Sequence, residues 1–320
     1  MRAGCVSDNH ERAVAAFVGR TLGCEASRVE RVNAFATNAV YAVDSGARRF
    51  FLKATMLHDA LRAEAWACAR GADAGCAAPV ILGFGRLGTE NGMSAVLMRR
   101  VAGRPIGAAH PVLREVGAGL QRLHAVRMAG FGWLAEASWE QASWKADGDI
   151  SLRHGSWLDF LRAICGDARS LADRCAVADS VAEAAAAAID AHADALAAVE
   201  CGSLCHGDLK AAHILVDADG LAGVIDWGDA VVADPLWDIA RFAHRADREA
   251  VSLLLEGYDP GRAMVDEFVW RLPLYEALWM LVDAIVSHRL GCRVDALLEA
   301  VMEPLRRCAG SVFRRRDLED

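Results

Sequence analysis

The chain has 320 residues, 54% of them hydrophobic, and a formal net charge of -8, so it can bury a substantial core across two lobes, and its acidity disfavours a nucleic-acid partner, which calls for a basic face. No run of about 18 uninterrupted apolar residues is present to span a membrane, and the start, MRAGCVSDNHERAVAAF, is charged too early for a secretory signal. Ten cysteines without a C-x-x-C pair read as reduced, buried small side chains, and a soluble cytoplasmic protein is expected.

Apolar residues at Val14, Phe17, Val18 and Leu22 predict a helix over 9–22. Strands are expected over 29–35 and 40–43, joined through Ala36-Thr37-Asn38-Ala39, and after the turn at Ser45-Gly46 a third strand over 49–54 carries Lys53 at the end of an apolar run. A helix over 59–70 contains Glu64, and strands over 79–83 and 94–98 flank a turn at Asn91-Gly92. Residues 99–103 read as a link.

Beyond the link, Leu113, Val116, Leu120 and Leu123 predict a helix over 111–126 that ends at His124, read as a structural histidine. Trp133, Trp139, Trp144 and Trp157 mark a loop-rich insertion whose aromatics are assigned to packing. The alanine-rich stretch 180–199 predicts one helix by propensity alone.

The chemistry concentrates in LCHGDLKAAHILVDADGLAGVIDWGDAVVADPLWD, residues 204–238. Its β-branched and aliphatic runs around Asp217-Ala218-Asp219-Gly220 predict a hairpin that brings His206, Asp208, Lys210 and His213 towards Asp226 and Asp229. Converging carboxylates need a cation, a proton or a basic partner between them, and hard oxygen ligands favour magnesium completed by water and phosphate. Helices are expected to follow over 237–243, 249–256, 264–286 and 294–308.

His206-Gly207-Asp208-Leu209-Lys210-Ala211-Ala212-His213 resembles the catalytic loop H-R-D-L-x-x-x-N of protein kinases, and Asp226-Trp227-Gly228 resembles their D-F-G. The H-G-D opening, Ile225-Asp226-Trp227 and Asp234-Pro235-Leu236-Trp237-Asp238 are more similar to the aminoglycoside phosphotransferase family, small-molecule antibiotic kinases. The resemblance implies an α+β, bilobal protein-kinase-like fold with a mainly antiparallel sheet lobe carrying a helix over 1–99, a hinge over 100–103 and a larger, mainly helical lobe over 104–320.

It also implies roles. Thr37, Asn38, Lys53, Glu64 and Met98 form the expected nucleotide-binding set, with Glu64 holding the phosphate-gripping Lys53. Asp208 is the base or hydroxyl-orienting group, Lys210 neutralises the moving phosphoryl group, and Asp226 chelates magnesium. His213 takes the second metal position, where kinases generally carry Asn; the alternative is a structural histidine beside a single magnesium. His206 and Asp238 brace the loop. Among Asp259, Asp266, Glu267, Glu276 and Asp283, the carboxylate expected to meet an ammonium group is Glu276, beside Tyr275 and Trp279.

No activation segment follows Trp227, so a small molecule is the expected substrate. The implied function is transfer of a phosphoryl group from ATP or GTP, with magnesium, to a hydroxyl of a cationic small molecule, foremost an aminoglycoside, conferring resistance. A macrolide or other small molecule is the alternative acceptor; a metal-dependent phosphohydrolase and an inactive nucleotide-binding module are alternatives of another class. No nucleic acid, membrane or obligate protein partner is expected.

Overall fold

The structure is a computed structural model that describes residues 4–32, 38–89, 92–107, 109–139, 145, 150–171, 175, 177–258 and 265–316. From the N-terminus the chain forms α1 (Gly4–Leu22), β1 (Arg28–Arg31), β2 (Ala39–Ser45), β3 (Arg48–Thr55) and α2 (His58–Asp73). There follow β4 (Ile81–Arg86), β5 (Ser94–Arg99), β6 (Arg104–Pro105) and α3 (Leu113–His124). Four two-residue strands come next, β7 (Arg127–Met128), β8 (Gly132–Trp133), β9 (Ser138–Trp139) and β10 (Ile150–Ser151), then α4 (Trp157–Arg169), α5 (Ala178–Ala191) and α6 (Ala193–Ala197). The motif region supplies β11 (Gly202–Cys205), β12 (Ile214–Asp217), β13 (Gly220–Val224) and β14 (Val231–Ala233), and the chain closes with α7 (Leu236–Ala243), α8 (Arg248–Tyr258), α9 (Val265–Arg289) and α10 (Asp295–Arg316).

These elements form two compact units. The first comprises Met1–Gly107, Trp133–Ser151 and Ala212–Ala230; the second comprises Ala108–Gly132, Leu152–Ala211 and Val231–Asp320. The first unit therefore gathers the β12–β13 hairpin to itself, because β12 pairs with β6 as well as with β13. Among the described residues no helix is long and apolar enough to cross a membrane.

The first unit is built on a five-stranded sheet in the order β1-β2-β3-β5-β4, with antiparallel neighbours throughout. Side chains alternate faces along a strand, and β3 uses both. Phe50, Leu52 and Ala54 join Val14, Phe17 and Val18 of α1 in one core, which puts Lys53 on the opposite face, where Val96 and Met98 meet Leu61 and Ala65 of α2. Glu64 follows Leu61 by three positions, one helical turn, and so shares its buried face.

Beneath that helix lies Trp227, 1% exposed, with its indole N–H donated to the Val224 carbonyl at 2.8 Å. A Cβ added at Gly71 would fall 2.4 Å from the Trp227 ring. The helix thus presses its backbone directly onto the indole.

In the second unit β11 pairs antiparallel with β7 and β14, and Trp157, Trp237, Tyr275 and Trp279 of α4, α7 and α9 form a buried aromatic group. The helix expected over 180–199 is two helices, α5 and α6, interrupted at His192 with φ -120°. Its ring stacks on Trp270 at 4.1 Å, a tertiary contact that local propensity does not register. The strand expected over 29–35 is described only as Arg28–Arg31, residues 33–37 lying outside the described set.

Helices α3 and α8 approach through glycine: a Cβ at Gly257 would lie 1.9 Å from the Arg114 carbonyl oxygen. Gly257→Ala is expected to lower stability by about 1–3 kcal/mol through overpacking. Gly166→Ala, in α4 with nothing within 4 Å of its added Cβ, is expected to be neutral or stabilising. Urea midpoints of the two variants against the parent chain check this; equal midpoints for both would contradict the close helix contact.

Candidate active site

In the first unit, Lys53 donates from Nζ to Glu64 Oε1 at 2.6 Å and to Asp226 Oδ1 at 2.7 Å. Burial opposes the charge on Lys53, but Glu64 and Asp226 outweigh it and hold the ammonium above its ordinary value. Burial pushes the Glu64 carboxyl upward, with Lys53 pulling against it. One ammonium against two carboxylates leaves negative charge in excess, and it falls on Asp226, whose side chain is 46% exposed where that of Glu64 is 4%.

Asp226 also adopts φ 67°, the left-handed region that non-glycine residues seldom enter. Its turn follows the end of the hairpin, where Ile225 N–H bonds the His213 carbonyl at 2.9 Å, and its Oδ2 lies 3.3 Å from His213 Nε2. An exposed carboxylate oxygen beside a neutralising lysine fits magnesium, which takes one or two carboxylates and fills its shell with water and phosphate oxygens. The His213 nitrogen suits magnesium less well than an oxygen would.

In the second unit, Asp208 is held from two sides. Its Oδ1 accepts from Arg241 Nε at 3.0 Å and Nη2 at 2.8 Å, and its Oδ2 accepts from Lys210 Nζ at 2.5 Å. The remaining Arg241 nitrogen, Nη1, donates to both oxygens of Asp283 at 3.0 and 2.9 Å, while Arg245 reaches Asp283 at 2.7 Å. The guanidinium lies 4.4 Å over the Trp279 ring, a stacked setting that a lysine would not reproduce.

The loop carrying Asp208 is pinned by Asp238. Its carboxylate accepts the backbone N–H of His206 at 2.7 Å and of Gly207 at 2.8 Å, and meets His124 Nε2 at 3.2 Å, whose other nitrogen lies 2.8 Å from the Tyr258 hydroxyl. Gly207 has φ 83°, which explains glycine between His206 and Asp208. The bracing expected of Asp238 and the structural part expected of His124 are thus visible as hydrogen bonds.

Residues 28–271 match the phosphotransferase enzyme family, APH. The chain belongs to this family. It is an enzyme of the phosphotransferase class with a hydroxyl group as acceptor. A stretch of 58 residues, 18% of the chain, is 43% identical to the uncharacterized protein YcbJ of Bacillus subtilis (strain 168), of which it spans 19%.

Solved structures share the phosphotransferase's fold along most of its length. A thermostable mutant of aminoglycoside phosphotransferase APH(4)-Ia is similar with a TM-score of 0.67 at 18% identity, covering 94% of this chain and 98% of that one; that enzyme has also been solved in a ternary complex with ADP and hygromycin B. A candidate fructosamine-3-kinase from Thermobifida fusca YX-ER1 is similar with a TM-score of 0.70 at 19% identity, covering 92% and 98%. The fold is the α+β, kinase-like one, with an antiparallel sheet unit and a helical unit.

Of the other expected site residues in the phosphotransferase, Asn38 is half-buried immediately before β2, and Met98 is buried in β5 against Leu61, Ala65 and Val96. Thr37 and Asp259 lie outside the described residues, as do the side chains of Asp266 and Glu267. Glu276 is 8% exposed, with Oε2 2.7 Å from Arg307 Nη2 of α10; burial raises its carboxyl and Arg307 opposes that rise. Asp283 is engaged by Arg241 and Arg245. Arg241 itself carries no motif signal beyond its place three residues after Asp238 on the buried face of α7.

Three carboxyls of the second unit sit below the ordinary value of 3.8 although burial opposes their ionisation: Lys210 and Arg241 outweigh it for Asp208, His124 with backbone N–H groups for Asp238, and Arg241 with Arg245 for Asp283. The unfolded chain binds these protons more readily. Stability from the three groups is therefore present above about pH 4 and lost as pH falls through the depressed folded values. Urea midpoints of the phosphotransferase should fall on going from about pH 5 to pH 3; a midpoint constant over that range would contradict the pairing.

Proposed function

We propose that the chain transfers the terminal phosphoryl group of ATP or GTP, with magnesium, to a hydroxyl of a small cationic molecule. The observation that carries this reading is the Lys53–Glu64–Asp226 arrangement, in which a buried carboxylate fixes an ammonium beside an exposed one. Lys53 grips nucleotide phosphate oxygens, Asn38 and Thr37 donate to them, and Met98 lies beside the base. Asp226 holds the magnesium, with His213 as a weaker or water-mediated ligand. When bound, magnesium neutralises charge on the transferred phosphoryl oxygens.

Asp208 receives the acceptor hydroxyl. Its depressed pKa makes it a weak base, so it orients the hydroxyl and accepts the proton late, which suits a loose transition state in which positioning dominates. Lys210, bonded to Asp208 in the resting protein, turns to the phosphoryl oxygens as their charge moves.

An aminoglycoside is the foremost acceptor, supported by the likeness to APH(4)-Ia and to the spectinomycin phosphotransferase APH(9)-Ia, the latter with a TM-score of 0.59 at 13% identity over 93% of each chain. Resistance would follow from modification in the cytoplasm, where nucleotide is available. The likeness to a fructosamine-3-kinase favours a second reading, a hydroxylated sugar amine that is no antibiotic. Glu276 has no advantage over other acids as the partner of the amine, since Arg307 already engages it.

Nucleotide consumption with magnesium is measured across aminoglycosides, fructosamine-type amines and macrolides. Turnover stimulated by one amine class names the acceptor, whereas activity confined to neutral macrolides would remove the cationic choice. Lys53→Ala is expected to lower kcat/KM by about 100-fold or more, as for removal of one preorganised charged group. Intact turnover in that variant would end the kinase reading in favour of a phosphohydrolase.

A further inference from the structure

Four arginines of the first unit, Arg48, Arg49, Arg99 and Arg100, line one cavity of about 530 Å³. The sheet register puts them there: β3 begins with Arg48 and Arg49, β5 ends with Arg99 opposite Phe50, and Arg100 N–H bonds the Arg49 carbonyl at 3.1 Å. By the alternation of faces, Arg48 and Arg99 share the α1 face with Phe50, and Arg49 and Arg100 share the other, where Arg100 leans over Phe51; the cavity takes in both pairs at the end of the sheet.

Among the described residues little compensates them. Arg49 Nε lies 3.9 Å from Asp44 Oδ1, and Arg48 Nη2 donates to Cys24 Sγ at 3.0 Å. Arg100 leans over the Phe51 ring at 5.6 Å. Among the described residues Arg99 and Arg100 make no ion pair with a carboxylate. The cavity is therefore a positive pocket in a chain of net charge -8, and its remaining walls include Leu22, Phe50 and Leu82.

We propose that this cavity binds a small soluble anion carrying at least two negative charges, a phosphate ester or a polycarboxylate, with an apolar portion against Phe50 and Leu82. Guanidinium forks recognise both oxyanion types bidentately, and the volume lies within the range of small-ligand sites. The site is separate from the nucleotide contacts proposed above. Phe50, Leu22 and Leu82 belong to the α1 face of the sheet and Arg49 and Arg100 to the face that carries Lys53, but none of Lys53, Asn38 and Met98 lines the cavity.

The probes are inorganic pyrophosphate and citrate, titrated calorimetrically into the full chain carrying Lys53→Ala, without magnesium, so that the nucleotide site is silenced. One saturable site is expected, weakened about ten-fold for each charge-assisted hydrogen bond removed, in both Arg99→Gln/Arg100→Gln and Arg48→Gln/Arg49→Gln. Far-ultraviolet circular dichroism confirms that each double variant is folded. Absence of saturable binding by both probes, or binding unchanged in both folded double variants, would overturn the proposal. Because nucleotide turnover is not the readout, the outcome is independent of the kinase reading.

Discussion

Asp208→Ala is expected to lower kcat by about 10²–10⁴, the range for removal of a positioned group that handles the acceptor proton, while nucleotide affinity stays near that of the parent chain. The expectation follows from geometry. Arg241 occupies one oxygen of Asp208 and Lys210 the other, and the lysine contact is the exchangeable one: Lys210 is 24% exposed in its side chain against 7% for Arg241. Displacing the lysine frees Oδ2 for a hydroxyl without disturbing the buried pair. Steady-state kinetics with the acceptor identified by the panel, together with nucleotide titration, separate the two effects. A variant that loses nucleotide affinity and keeps kcat would assign Asp208 to the wrong substrate.

Arg241→Met should cost more in stability than Gly257→Ala or Asp208→Ala. The substitution removes the guanidinium fork from both Asp208 and Asp283, which keep Lys210 and Arg245, and breaking a buried ion pair from one side typically costs about 3–5 kcal/mol. Activity should fall as well, because Asp208 loses the fork that fixes its plane, and the acid limb of the pH–rate profile should move to higher pH as the carboxyl recovers from its depression. Arg241→Lys keeps a charge and loses the fork and the Trp279 stacking, so stability is expected to recover in part with kcat still low. If urea unfolding of Arg241→Met matched the parent chain, the bridge between Asp208 and Asp283 would be energetically idle.

Much of this geometry is legible in the sequence, for reasons that differ by residue. Lys53 and Glu64 are paired through the resemblance to the phosphotransferase family, and the local strand and helix periods agree with it: one residue past Leu52 changes the sheet face, and three past Leu61 returns to the same helix face. The β12–β13 hairpin announces itself through its turn residues. Arg241 does not, because its partners Asp208 and Asp283 lie 33 and 42 positions away and no spacing rule links them. Glu276 draws notice for its aromatic neighbours, yet its carboxylate faces Arg307, 31 positions on, which only the packing of α9 against α10 brings near. The break at His192 likewise depends on a distant ring.

The contact between Gly71 and Trp227 bears on how related chains can vary. An added Cβ at 71 would collide with the indole, so a side chain at 71 calls for a smaller ring at 227. The two positions should drift together across homologues, large ring with glycine and smaller ring with alanine. Aligned sequences scored column by column would record two unrelated preferences; scored jointly, they would show one constraint acting 156 residues apart along the chain.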